Sequence, residues 1–309
     1  MSEKVVAEIY HQVQVHHNKL EVLLKGNTGP YVVILTGMGC SFDEWHEVTE
    51  VLGVTNRVLM YHRPGLGESE LGVRKRNTEA TVQELYELLA YYEINEPVYL
   101  VGHSYGGLSA QHFARLFPDK VAGMVLVDST STDLARLDEL DLPMLDEESD
   151  EKWIEKCLRY AAMDQEQLRK IIKPSLTDQQ KKFPKTLQNR LIDFQVNPLL
   201  YKAMASEIQC WKQDAKVIQG LGEFPDVPLI VMGRDKEWSI QSQLQSGIPE
   251  WELRCFEEMW EDLITKQAEL STCSELIFTE RAGHSVYLDR ADCVIEWIYK
   301  VMRQKVNLQ

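Results

Sequence analysis

Ser104, His284 and an aspartate carry the residue types and chain order that nucleophilic acyl chemistry requires. A serine hydroxyl is a poor nucleophile at neutral pH. It needs an imidazole to take its proton and a carboxylate to orient that imidazole. Ser104 sits in Gly102-His103-Ser104-Tyr105-Gly106-Gly107, after the short apolar run Pro97 to Val101 and before a helical pattern in which Leu108, Phe113, Leu116 and Phe117 recur up to Pro118. That order, strand then tight turn then helix, presents a serine at a sharp bend, and the glycines leave room for the backbone around it.

His284 lies in Ala282-Gly283-His284-Ser285, just past the last strand pattern, where a loop on the sheet's C-terminal edge points it toward the serine. His11, His16 and His17 belong to an opening hairpin, and His112 lies inside the helix after Ser104; packing or solvent exposure accounts for these. Two aspartates compete as the acid. Asp235 follows the strand Val227 to Met232, and Asp128 follows the strand Val121 to Val127. Both belong to the sheet edge where ligand chemistry gathers in such folds. The chain order Ser, Asp, His favours Asp235, and a turn-capping role is the other reading of Asp128. Two backbone N–H groups must also face the oxyanion. Tyr105, directly after the serine, supplies one; Met38, in the turn Thr36-Gly37-Met38-Gly39, supplies the other.

The elements that hold these groups follow from periodicity. Ile9, His11, Val13 and Val15 alternate with other residues, as do Leu20, Val22 and Leu24, which predicts a β-hairpin. Short apolar strands then alternate with helices: Tyr31 to Leu35, a helix from Asp43 to Leu52, Val58 to Tyr61, and a helix from Glu79 to Tyr92 capped by Asn77 or Thr78. This alternation predicts an α/β fold with a doubly wound, mostly parallel sheet. It stops after Asp128. Nine acidic residues fall between Asp133 and Glu151, and helical stretches follow without a convincing strand until Val227. Residues 133–224 therefore read as a helical insertion, with 1–132 and 225–309 as the core. A long helix from Pro249 to Leu270 with Trp251, Phe256, Trp260 and Leu263 inward, a strand from Glu275 to Thr279 and a closing helix from Val294 to Met302 complete the pattern.

Composition narrows the partners. A formal charge of −15 argues against nucleic acid, because phosphate binding needs clustered Lys and Arg. The six cysteines are scattered without a Cys-x-x-Cys pair and read as free thiols, with no structural zinc site. No apolar run reaches the ~20 residues of a membrane span, and Met1 to Ala7 does not resemble a secretory signal, so a cytoplasmic location is expected. Gly102, Ser104 and Gly107 also approach a dinucleotide-binding turn, but Ser104 replaces the glycine that admits a pyrophosphate.

The motifs Gly-His-Ser-Tyr-Gly-Gly at 102–107, Gly-Arg-Asp at 233–235, Gly-His at 283–284 and Arg-Pro-Gly-Leu-Gly-Glu-Ser at 63–69 together resemble the α/β-hydrolase fold serine hydrolases. The resemblance spans most of the chain. It implies a helical cap at 133–224, a Ser104-His284-Asp235 triad, and hydrolysis of a small or medium apolar ester, amide or related bond in a small-molecule substrate, without metal or organic cofactor. Trp153, Trp211 and Leu200 are the expected pocket lining. The segment at 63–69 resembles a structural loop of that family. Thr36 stands where the family's oxyanion turn usually has a histidine, and the stretch from Asp235 to His284 is longer than usual. Because the family also includes lyases and ligand receptors that keep the triad, a non-hydrolytic role is the alternative expectation. Neither substrate identity nor oligomeric state is legible.

Overall fold

The period of two along the central strands sorts their apolar side chains onto two faces. Val32 and Ile34, Val58 and Met60, Val125 and Val127, and Ile230 and Met232 pack in one buried cluster; Val33 and Leu35, Leu59 and Tyr61, Met124 and Leu126, and Leu229 and Val231 pack in the other. Strands buried on both sides belong to a sheet covered by helices on both faces. A computed structural model describes residues 8–15, 18–145 and 149–304. His16 and His17 of the expected hairpin turn, and Asp146, Glu147 and Glu148 of the acidic run, lie outside the described residues, as does the chain start through Ala7.

Eight strands form one sheet: β1 (Glu8–Val15), β2 (Asn18–Lys25), β3 (Tyr31–Leu35), β4 (Arg57–Tyr61), β5 (Val98–His103), β6 (Val121–Val127), β7 (Leu229–Arg234) and β8 (Ser274–Thr279). Their spatial order is β1-β2-β4-β3-β5-β6-β7-β8. β1 and β2 form the expected antiparallel hairpin, with Val13 opposite Leu20, and β2 pairs antiparallel with β4. All other pairs are parallel. From β3 the chain steps to β4 on one side and then to β5 on the other. The order thus reverses between β3 and β5, and their carboxyl ends border the crevice where such sheets bind ligands.

Helices α1 (His46–Leu52), α2 (Thr78–Tyr91) and α3 (Tyr105–Leu116) alternate with the first strands. Asn77 caps α2, its side chain accepting from the Ala80 N–H. Four helices, α4 (Asp150–Ala161), α5 (Gln165–Ile172), α6 (Lys185–Gln195) and α7 (Pro198–Gln219), lie between β6 and β7. After β7 come α8 (Lys236–Gln243) and α9 (Glu250–Gln267); after β8 come α10 (Val286–Asp289) and α11 (Ala291–Arg303). Trp251 is not inward as expected: it is 54% exposed. The buried face of α9 runs through Leu253, Glu257, Leu263, Ile264 and Gln267, which turns Trp251 toward solvent.

Candidate active site

β5 delivers Ser104 to the turn before α3 with φ 51° and ψ −124°. A non-glycine residue there stores strain, on the order of 1–3 kcal/mol, which the surroundings must hold in place. The Ser104 N–H donates to Val127 O at 3.3 Å, and its carbonyl accepts from Gly107, Leu108 and Thr130 at 2.8, 3.2 and 3.1 Å. The bend is thereby tied both to its own helix and to the loop after β6. A Cβ on Gly106 would fall 2.2 Å from Leu35 O, and one on Gly102 would fall 2.6 Å from the Gly107 Cα. Only glycine permits these approaches.

His284 follows β8 in the loop leading to α10. Its Nδ1 lies 2.6 Å from Asp128 Oδ2. Because a carboxylate is the acceptor, Nδ1 carries the hydrogen and Nε2 keeps its lone pair. The ring is 42% exposed at the side chain, and Trp260 meets it edge-on, with centroids 5.8 Å apart. His103, fully buried, donates from Nε2 to the His284 carbonyl at 3.0 Å and packs against the same ring. Burial, and next the neighbouring His284, push the His103 imidazole down to about 3, so it stays neutral.

Asp235 is the expected partner of His284, and the geometry differs from that expectation. Asp128, not Asp235, meets His284. Asp128 is fully buried, directly after β6, the strand paired with the one that carries Ser104. Its Oδ1 accepts from the Arg234 N–H at 3.2 Å and the Trp260 indole at 2.9 Å; its Oδ2 accepts from Arg234 Nη1 at 3.1 Å as well as from His284. Burial alone would raise its pKa, but the Arg234 charge and the hydrogen bonds of His284 and Trp260 outweigh it and hold the carboxyl well below the usual range. Arg234 is in turn held by both oxygens of Glu257, each at 2.8 Å.

Asp235 is used differently. It caps α8, accepting from the Trp238 N–H at 3.0 Å through Oδ1 and from the Arg281 N–H at 2.9 Å through Oδ2. One part of the distinction is local: Asp235 immediately precedes a short helix with Glu237 in its first turn, an N-cap pattern. The missed participants are Arg234, read only as part of a motif, and Trp260, read only as core.

The turn after β3 lies against the same centre. Thr36 is buried, and Arg63 from the 63–69 segment donates to Thr36 O at 2.7 Å and to Gly37 O at 3.0 Å. Among the described residues, no other backbone or side-chain group takes the Met38 or Tyr105 N–H. A cavity of about 560 Å³ is walled by Leu134, Leu137, Leu142, Leu145, Trp153, Trp211, Phe256 and Trp260. Trp260 links its wall to Asp128 and His284. Leu134 and Trp211 link it to Tyr105 and Met38, with which they pack in one cluster. Trp153 and Trp211 are among the residues that line this cavity. Leu200 is not; it packs with Leu66, Phe194 and Ala203 away from the cavity. A second cavity of about 370 Å³, beside Glu21, Asp43, His62 and Arg190, shares no wall residue with the first. No group of three or more metal-ligating side chains is gathered among the described residues, and no described helix is long and apolar enough to cross a membrane.

Residues 30–223 match the family model described as alpha/beta hydrolase fold, and the chain belongs to that family. It is 25% identical over 234 residues to 2-hydroxy-6-oxo-6-phenylhexa-2,4-dienoate hydrolase of Comamonas testosteroni, covering 72% of this chain and 74% of that one. Seven other curated relatives are each matched over less than half of their length. One is a pimeloyl-[acyl-carrier protein] methyl ester esterase of Aeromonas hydrophila, 32% identical, of which 41% is matched. Among solved structures, a thermophilic esterase from Thermogutta terrifontis superposes with a TM-score of 0.62 at 19% identity, over 96% of this chain and 99% of the other. The epoxide hydrolase CorEH does so at 0.65 and 16% identity, over 96% and 99%. At these identities the structural matches establish the fold.

Proposed function

We propose that this hydrolase is a serine esterase in which Ser104 attacks a carbonyl carbon, His284 is general base and then general acid, and Asp128 orients His284. The observation that carries this reading is the 2.6 Å contact between His284 Nδ1 and Asp128 Oδ2. It leaves Nε2 as the basic atom of a histidine in the loop after β8, at the sheet edge where β5 presents a strained serine. In the first half-reaction the Ser104 proton moves to His284 Nε2 as the Oγ–C bond forms. The carbonyl oxygen, now an anion, is received by the Met38 and Tyr105 N–H groups. Collapse expels the alcohol, which takes the proton from Nε2. Water, deprotonated by the same nitrogen, then attacks the acyl-enzyme and frees the acid and Ser104.

The nucleophile separates this chemistry from epoxide opening. Attack of Ser104 on an epoxide carbon would leave a serine ether, which has no carbonyl for water to attack, and the enzyme would stop after one event. An acyl-serine ester turns over. Helices α4 to α7, with the segment before them, serve as the cap over residues 1–132 and 225–309, and the 560 Å³ cavity between that segment, α4, α7 and α9 takes the apolar portion of a small or medium neutral ester.

Labelling with a fluorophosphonate and turnover of a p-nitrophenyl ester panel test this. The wild type labels and hydrolyses, and Ser104→Ala does neither. A wild type that neither labels nor turns over any ester refutes the esterase reading and leaves a non-hydrolytic role for the fold.

A further inference from the structure

The turn that carries Met38 is held by a buried ion pair whose far partner belongs to the helical block. Arg63 and Glu207 are exposed by only 2% and 1%. Glu207 lies in the middle of α7 and grips Arg63 with both oxygens, Nε to Oε1 at 2.7 Å and Nη2 to Oε2 at 3.2 Å. The remaining donors of the guanidinium reach the turn after β3: Nη1 to Thr36 O at 2.7 Å and Thr36 Oγ1 at 3.3 Å, Nη2 to Gly37 O at 3.0 Å. Its face also lies over the Tyr105 ring, 5.2 Å from the centroid.

The planarity of the peptide unit makes this contact consequential. In a trans peptide the C=O and the following N–H point in opposite directions. An arginine that fixes the Gly37 carbonyl therefore also fixes where the Met38 N–H points. Within the turn the same carbonyl accepts only from the Cys40 N–H, at 3.3 Å, and Gly37 on one side of the unit has no side chain to oppose a flip, so the Arg63 bond at 3.0 Å is the shorter of its two holds. Two further contacts come from the same helix. A Cβ on Gly39 would lie 2.8 Å from Met204 Sδ, and Trp211 packs in one cluster with Met38. Met204, Glu207 and Trp211 are spaced i, i+3 and i+7, one face of α7.

We infer that Arg63 and Glu207 are positioning residues for the oxyanion site: α7, docked through Glu207, sets the direction of the Met38 N–H, so catalytic competence requires the helical block to be seated on the core. This rests on the serine esterase reading, with Met38 as an oxyanion donor. When α7 lifts, Arg63 loses its counter-ion and the turn loses its clamp. When α7 seats over a bound ester, both return.

The test separates this role from simple structural glue. Removing one partner of a buried pair destabilises strongly, whereas replacing both with apolar residues of similar volume is often neutral. Arg63→Met combined with Glu207→Leu is therefore expected to recover the thermal midpoint that either single change loses. Its kcat on a p-nitrophenyl ester stays down on the order of 100-fold, the typical effect of losing one oxyanion donor, with KM little changed. Affinity for a boronate, whose tetrahedral adduct occupies the oxyanion site, falls in parallel. A double variant with both the midpoint and kcat of the wild type overturns the inference. If the double variant does not fold, Glu207→Gln, which keeps the side chain's shape, is measured the same way, and a folded protein with undiminished kcat and boronate affinity is the overturning result. The Ser104→Ala control keeps the two ideas apart. Absent turnover in the wild type removes the esterase reading and this inference with it; normal turnover in both wild type and variant removes the inference alone.

Discussion

Replacing Asp128 with Asn removes one charge and changes almost no volume, yet its surroundings leave the amide no good orientation. Four donors converge on the carboxylate: the Arg234 N–H and the Trp260 indole at Oδ1, Arg234 Nη1 and His284 Nδ1 at Oδ2. An amide offers one oxygen. With its NH₂ in the Oδ2 position, it meets Arg234 Nη1 donor to donor. It also donates to His284 Nδ1, which moves the imidazole hydrogen to Nε2, the atom that accepts the Ser104 proton in the proposed mechanism. With the NH₂ in the Oδ1 position, it faces the Trp260 and Arg234 N–H groups instead. The first orientation disables the base; the second leaves buried donors opposed. The expected loss in kcat is roughly 10³ to 10⁴-fold, equivalent to about 4–5.5 kcal/mol of transition-state stabilisation.

Asp235→Asn is the matched control. Asn is as good an N-cap as Asp, so α8 keeps its cap; the amide gives up the acceptor for the Arg281 N–H, which is solvent-exposed and can turn to water, and turnover stays within about twofold. The assay is initial rate on a p-nitrophenyl ester at fixed ionic strength, with circular dichroism to show that both variants are folded. A folded Asp128→Asn protein with near wild-type kcat, or a large loss confined to Asp235→Asn, would refute the reasoning and return the acid to the end of β7.

The strain at Ser104 predicts that Ser104→Gly stabilises the fold, by about 1 kcal/mol, while abolishing turnover; chemical denaturation reads the first and the ester assay the second. Gly106→Ala brings a Cβ to 2.2 Å from Leu35 O and is expected to cost at least about 3 kcal/mol or prevent folding. Glu44, held by Tyr287 and Gln180, has its carboxyl raised by burial to about 7. An acid with a raised folded pKa is penalised once it ionises, so Glu44→Gln should raise the thermal midpoint at pH 8, with the gain shrinking through pH 7 and vanishing near pH 4.5. A gain independent of pH contradicts this. At the cavity rim, Lys212 is paired with Asp138 at 2.6 Å and Asp150 at 2.8 Å, with Glu151 beside them. Three carboxylates against one ammonium disfavour anionic substrates. An ester bearing a free carboxylate should have roughly tenfold lower kcat/KM than its neutral isostere, the gap narrowing in high salt.

The legible and illegible parts of this molecule divide by the range of the interactions that produce them. Strand periodicity, the glycines around Ser104 and the Asn77 cap are local, and each is readable from a few neighbouring residues. The choice between Asp128 and Asp235 is not. It depends on which strand lies beside β5, on a helix starting one residue after Asp235, and on Arg234 and Trp260 reaching Asp128 from elements more than a hundred residues away. Chain order, the criterion that favoured Asp235, carries no information about strand adjacency. The sheet order does, because β6 pairs directly with β5 whereas β7 lies one strand further out. The 63–69 segment shows the same limit. Its glycines mark a turn, but Arg63 acquires its role only where Glu207, 144 positions away, completes its fork. A buried arginine with an acidic partner on an inserted helix is invisible to any local pattern. In this fold it joins the inserted helix to the turn whose N–H direction the proposed chemistry needs, so the stretch least readable in sequence lies within hydrogen-bond reach of the site most readable in it.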